Sequence, residues 1–284
     1  IRVCRAIALT YDFEWSNKTL FHGEYQRVDS YFGDTALAAT GPSEPDERAL
    51  LASSASSLPA GLFDAEAPSA TLGGGDRRAA LVEAHRLLDE AGLKVVDGRR
   101  IDPATGKPLT IRLLYLNPEL VRVLGPVARN LEQLGIELSY PSLEPTAAQK
   151  MMLDRDFDMT TLNWSPTLVP GSAERLLWHG SLARIEGTYA LAGVEDAALD
   201  ATIDAMIAAG DEASLRTAAR SFDRVMRWRN HALPLWRSNS IRLAWWDKFG
   251  QPPQGPRHAG AAAEIFDRWW WRGEGLTTGV LMKP

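Results

Sequence analysis

Apolar positions recur at helical spacing in several windows of this chain and run together or alternate in others, and their succession predicts a mixed α/β protein. Val3, Ala6, Ile7 and Thr10 share one helical face within residues 1–11. Ala80, Leu81, Ala84, Leu87, Leu88 and Ala91 repeat that pattern, and Gly92 supplies a C-terminal stop. Residues 94–108 read as a hairpin-like elaboration, with Asp97-Gly98 and Thr105-Gly106 as turn signals. A strand is expected over 109–116. Asn117-Pro118 then caps a helix that runs to Leu134 and is ended by Gly135. A strand at 136–140, a helix at 146–155 and a strand at 157–163 complete a β-α-β-α-β unit, a compact α/β lobe. Helices at 196–208 and 211–229 follow, the second N-capped by Asp211, and both are expected to cover the sheet. Strands are expected at 232–236 and 240–246, with Arg237, Ser238 and Asn239 between them.

Residues 33–75 break this rhythm. They are rich in Ala, Ser, Pro and Gly and read as a surface excursion, with one short helix at 44–51 and a flexible run ending at Gly73-Gly74-Gly75. At 284 residues and 45% hydrophobic content, the chain is long enough to bury a sizeable core in one or two domains. Its net charge of -5, with acids and bases interspersed, argues against nucleic acid as a partner, since phosphate contacts need a basic face. No apolar run approaches a bilayer span, and no charged-then-apolar leader opens the sequence. Cys4, the single cysteine, permits no internal disulfide or thiolate cage and reads as a small buried hydrophobe on its helix.

Candidate chemistry is sparse. The five histidines are scattered without metal-ligand spacing, so no metal site is expected. Neither Gly73–Asp76 nor Gly106-Lys107-Pro108 has the frame of a phosphate loop, and no GxSxG elbow occurs. No catalytic residue and no cofactor are assigned. Asp154, Asp156 and Asp158 flank Arg155 in what reads as a solvated turn. Asn163 and Trp164 stand at the carboxyl end of an expected strand, just before the turn-rich 165–172, where α/β proteins commonly place ligands. A tryptophan there offers a rigid apolar face and one N–H donor, although a core tryptophan reads equally well.

Several segments in order carry a wider likeness: Val3, Arg5, Ala6, Ile7 and Asp12; residues 13–21 (FEWSNKTLF) with Ser30-Tyr31-Phe32; residues 78–92; Asn163-Trp164 with Pro170-Gly171; residues 222–228; Pro234–Trp236; and residues 246–249. Together they resemble the extracellular solute-binding proteins of family 5, in the YejA-like subgroup. The resemblance implies a periplasmic binding protein-like fold (type II, cluster C), with a mixed sheet flanked by helices. It implies that residues 1–239 form the second, C-terminal lobe and that 240–284 return to a first lobe missing from this chain, so that the sequence is expected to be a fragment. The opening helix, which lacks a cap or leader, agrees with that.

The implied function is the substrate-binding component of an ABC transporter. A monomeric periplasmic protein would capture an oligopeptide or peptide-like ligand between two lobes for a membrane permease, without chemistry of its own. The implied ligand-binding residues are Asn163, Trp164, Ser165 and Thr167 with Trp236, Arg237 and Ser238. Thr167 stands where many members carry the acid that holds a ligand's terminal amine; Glu174 and Glu186 are possible substitutes, each more simply a solvated charge. Arg237 suits a carboxylate or phosphate, although a surface salt bridge is the simpler reading for it and for Arg175. Two readings of other classes stay open: an α/β hydrolase or transferase without an identifiable catalytic set, and an interaction module using Trp245, Trp246 and Trp269–Trp271. The tail carrying those tryptophans is expected to expose apolar surface.

Overall fold

The computed structural model describes residues 1–33, 35–67, 76–164, 169–238, 240, 244–253 and 268–272. In chain order the elements are α1 (Arg2–Ala8), α2 (Phe13–Thr19), β1 (Tyr25–Arg27), α3 (Pro45–Leu50), α4 (Arg77–Glu90), β2 (Lys94–Val96), β3 (Arg99–Ile101), β4 (Thr110–Leu114) and α5 (Val121–Gln133). They continue with β5 (Glu137–Ser139), α6 (Pro145–Leu153), β6 (Met159–Thr160), α7 (Ser172–Trp178), α8 (Ala197–Ala208), α9 (Glu212–Arg229), β7 (Trp236–Ser238), β8 (Phe249–Gly250) and β9 (Trp270–Trp271).

Short polar side chains set most helix starts by accepting otherwise unpaired N–H groups. Asp76 accepts from Ala79 at 2.9 Å, Glu144 from Thr146 at 2.9 Å, Asp196 from Ala198 at 3.0 Å and Asp211 from Ser214 at 2.8 Å. Pro45, Pro118 and Pro145 occupy first-turn positions, where a missing N–H costs nothing. The turn before α5 is a 3-10 turn over Pro118–Leu120.

The expected β-α-β-α-β unit is present. β4, β5 and β6 form a parallel sheet in the order β5-β4-β6, with Ile111 opposite Leu138 and Leu114 opposite Thr160. Side chains alternate across it. Ile111 and Leu113 join Ala6, Leu9, Ala84, Leu88, Leu131 and Leu134 in a core with α1, α4 and α5, whereas Leu114 packs with Ala148 and Met152 of α6. The β2–β3 hairpin turns at Asp97-Gly98, both at positive φ, as expected.

Several expectations need correction. Helices α8 and α9 do not cover the sheet: Leu199, Ile203, Phe222, Val225 and Met226 build a second core with Tyr31, Phe32, Leu51, Leu62 and Trp178, and that core contains no sheet residue. Their apolar stripes find each other and the 31–63 segment first. That segment is therefore not a surface excursion where it is described. Its few apolar side chains are anchored, and two buried carboxylates tie its backbone and helix α3 to α9. Asp223 accepts from the N–H groups of Tyr31 (2.7 Å) and Ala39 (2.9 Å), and Glu47 meets Arg224 at 2.9 Å. The glycine run lies outside the described residues.

Arg237 and Ser238, expected between strands, lie within β7, whose partner is β1 rather than a following strand. Residues 244–246 are not strand, and 241–243 lie outside the described residues. Cys4 is exposed, because Ala6 and Ala8 take the inward positions of α1. Among the described tail residues, β8 pairs with β9, and Trp246 and Trp271 are 77% and 56% exposed, in keeping with the expected apolar surface. No helix among the described residues is long and apolar enough to cross a membrane.

Candidate functional site

Strand β6 ends at Thr160, and its hydroxyl donates to the Leu114 carbonyl at 3.0 Å, which locks the carboxyl ends of β4 and β6 together. The chain leaves that edge through Leu162 and Asn163, both exposed, and reaches the half-buried Trp164. Trp164 is held firmly. Its ring lies 5.6 Å from Tyr31 edge-on, 5.9 Å from Trp178 and 6.3 Å, stacked, from Phe222. Its N–H is given to the Tyr31 carbonyl at 3.1 Å. What remains for a ligand at this position is part of the apolar face. Ser165 and Thr167 lie outside the described residues.

The second group of candidate residues is built on the β1–β7 ribbon. Trp236 stacks obliquely with Phe21 at 5.1 Å and Tyr11 at 5.7 Å, which fixes the strand against α2 and α5. Arg237 donates to Gln26 at 2.9 Å and Ser238 to the Ser240 carbonyl at 2.7 Å. The two groups share a connector that motif reading did not single out as functional. Tyr31 receives the Trp164 indole, and Gly33, at φ 48°, lies within ordinary contact range of Arg237, where a Cβ would sit 3.9 Å from Nη1. The Ser-Tyr-Phe triplet at 30–32 was legible in the sequence; its bridging position was not.

Electrostatics around that connector are those of a buried support. Burial, with the nearby Asp223 charge, raises the Tyr31 hydroxyl well above the ordinary phenol range, and its O–H donates to the Ala232 carbonyl at 3.0 Å. Burial likewise raises the Asp223 carboxyl, against two backbone N–H groups and Arg227 that favour its charge. Glu174, read as a solvated charge, is buried: it closes the first turn of α7 by accepting from the Gly171 N–H. Glu186 is exposed, and Arg175 makes the expected surface pair, with Asp204 at 3.1 Å. Among the described residues no group of three or more His, Cys, Asp or Glu side chains is placed to hold a metal. Nor do the described hydrogen bonds connect a nucleophile, a base and an orienting acid at this edge.

Known proteins place this architecture. The sequence model described as "Bacterial extracellular solute-binding proteins, family 5 Middle" matches residues 1–181. YejA of Escherichia coli (strain K12), an uncharacterized protein, is 35% identical over 272 residues, covering 95% of this chain and 44% of its own length. A probable peptide-binding protein YejA from Agrobacterium fabrum (strain C58) is 27% identical over 267 residues, covering 94% and 43%. The chain thus spans less than half the length of these relatives. Among solved structures, the oligopeptide-binding protein AppA of Bacillus subtilis, in complex with a nonapeptide, superposes with a TM-score of 0.62 at 17% identity, covering 95% of this chain and 47% of that one. That likeness speaks for the fold.

Proposed function

Because the chain belongs to the bacterial extracellular solute-binding proteins of family 5, we propose that it contributes the second lobe of the substrate-binding component of an ABC importer. Residues 1–239 form that lobe, and 240–284 turn back toward the other one. The ligand is a peptide or peptide-like solute held between lobes that close about a hinge, and the closed form delivers it to a membrane permease. The protein works in the periplasm as a monomer and performs no chemistry on its ligand. The match of the family's sequence model to residues 1–181 is the observation that carries the reading.

Geometry agrees with it. The carboxyl edge of the parallel sheet is where open α/β sheets present ligand-contacting residues, and here it carries Asn163 and the exposed part of Trp164. The Arg237 guanidinium stands on the neighbouring ribbon, where it can meet a ligand carboxylate.

Titration calorimetry with a mixture of short peptides tests the reading. Two polypeptides are compared: this chain, and the same chain joined to the additional length its relatives possess. Micromolar binding by the longer polypeptide and weak binding by this chain are expected. Micromolar binding by this chain alone would overturn the two-lobe arrangement, and no peptide binding by either would overturn the ligand class.

A further inference from the structure

Two consecutive residues of α9 reach the tryptophan of the candidate site by different routes. Phe222 stacks on the Trp164 ring, with centroids 6.3 Å apart and planes 21° apart. Asp223 is fully buried and acts through the backbone. Its two oxygens accept from the N–H groups of Tyr31 (2.7 Å) and Ala39 (2.9 Å), and the Ser30 hydroxyl also bonds it. The Tyr31 carbonyl then receives the Trp164 indole N–H at 3.1 Å. Tyr31 is thus held at the peptide group on each side of its Cα, and its phenol donates to the Ala232 carbonyl at 3.0 Å.

Stacking fixes the plane of a ring and leaves its rotation within that plane open; a directed hydrogen bond at the rim removes that freedom. The Tyr31 carbonyl therefore decides which part of the half-buried Trp164 ring stays outside, and the Asp223 carboxylate decides where that carbonyl points. A buried acid is a costly way to hold a loop, since burial opposes its charge and the facing Arg227 guanidinium stands 3.7 Å away. What a carboxylate supplies is two acceptors and no donor, which matches two converging N–H groups. An asparagine in its place would turn an amide N–H toward one of the two backbone donors.

We propose that Asp223 is a positioning residue for the ligand site: through Tyr31 it sets the rotation of the Trp164 ring against which a bound peptide rests. The inference rests on the peptide reading above and adds a buried residue that acts through another.

Indole N–H NMR, with the Trp164 signal assigned by Trp164→Phe, and calorimetry with the short-peptide mixture test it on the chain joined to the additional length its relatives possess. Asp223→Asn keeps the side-chain shape and removes one acceptor. It is expected to move the Trp164 indole signal, to speed exchange of that proton with solvent about tenfold and to weaken peptide binding about tenfold. Glu47→Gln loosens the same 31–63 segment through the other buried carboxylate, which meets Arg224 and Arg220 instead of Tyr31. That variant is expected to lower stability and to leave both the Trp164 signal and the peptide affinity unchanged. Ser30→Ala, which takes one hydroxyl from the Asp223 carboxylate, should act in the same direction as Asp223→Asn but less, and it decides the matter where Asp223→Asn does not fold. Equal effects of Asp223→Asn and Glu47→Gln on the indole, an unmoved indole in Asp223→Asn or Ser30→Ala, or a moved indole with unchanged peptide affinity would each overturn the positioning role and leave the peptide reading intact. No peptide binding by the parent polypeptide would overturn both.

Discussion

Glu47 and Arg224 meet with side chains only 1% and 2% exposed, so the pair stabilises the fold only while both charges are present. The Arg224 guanidinium also donates to the Gly41 carbonyl at 2.9 Å, which ties the 31–63 segment to α9. Glu47→Ala leaves a buried cation without its counter-charge and is expected to cost about 3–5 kcal/mol, read from urea unfolding. A loss below about 1 kcal/mol would show the segment to be held by its leucines alone. Asp196 makes a pH prediction. Burial opposes its ionisation, yet the hydrogen bond from His231 at 3.0 Å and the Arg229 charge outweigh this and hold the carboxyl below its ordinary range. A folded-state value below the unfolded one means stabilisation that is complete above about pH 4 and lost as the pH falls through the folded value. Asp196→Asn should therefore lower the urea midpoint at pH 7 and approach the parent protein near pH 2. An unchanged gap between the two proteins across that range contradicts the assignment.

At the scale of elements, the β2–β3 hairpin is pinned by one fully buried arginine. Arg100 donates from Nε to the Leu134 carbonyl at 2.9 Å, from Nη1 to Asp89 at 2.7 Å and from Nη2 toward His85 Nδ1 at 2.7 Å, joining the hairpin to α4 and to the end of α5. Gly135 completes the joint. At φ 79° its Cα faces the hairpin so closely that a Cβ would lie 2.9 Å from the Arg100 nitrogen and 3.0 Å from the Gly98 oxygen, both backbone atoms. Gly135→Ala therefore combines an unfavourable φ with a backbone clash and is expected to cost about 2–3 kcal/mol in thermal or chemical unfolding, where a helix-end glycine with open space beyond it would cost about 1. Gly92, at φ 85° with nothing within 4 Å, is the internal comparison.

Across the whole molecule, the described residues form two larger apolar cores, one between the parallel sheet and α1, α4 and α5, the other between α7, α8, α9 and the 31–63 segment. Neither contains a residue beyond Ala232, and the smaller cluster around Tyr11 and Phe21 reaches only Trp236. The proposed boundary at 239 is tested by deletion. A chain of residues 1–239 is expected to unfold with a midpoint close to that of the longer chain and with lower exposed aromatic surface, measured by binding of a hydrophobic dye. Loss of cooperative unfolding on deletion would place the tail inside the fold and move the boundary.

The parallel β-α-β-α-β unit was legible because its signals are local. Strand runs alternate with helical periodicity at 109–163, Asn117-Pro118 and Asp211 cap their helices, and Asp97-Gly98 makes the hairpin turn. The position of Asn163 and Trp164 at a strand's carboxyl end followed from the same unit. Which surfaces those elements bury was not local. Helices α8 and α9 carry apolar stripes that suit a sheet and a helix pair equally well, and the choice fell to residues far away in sequence, such as Tyr31 and Leu62. The Ala- and Ser-rich 33–75 stretch reads as a surface excursion because its apolar anchors, such as Leu51 and Leu62, are widely spaced and its remaining ties are polar, a carboxylate beneath two N–H groups and one buried ion pair. The use of the Trp164 N–H by the Tyr31 carbonyl was decided only when segments 133 residues apart in sequence had met. Periodicity and capping act over a few residues and are written in the sequence; partner choice acts across the folded chain, and tertiary packing alone settled it.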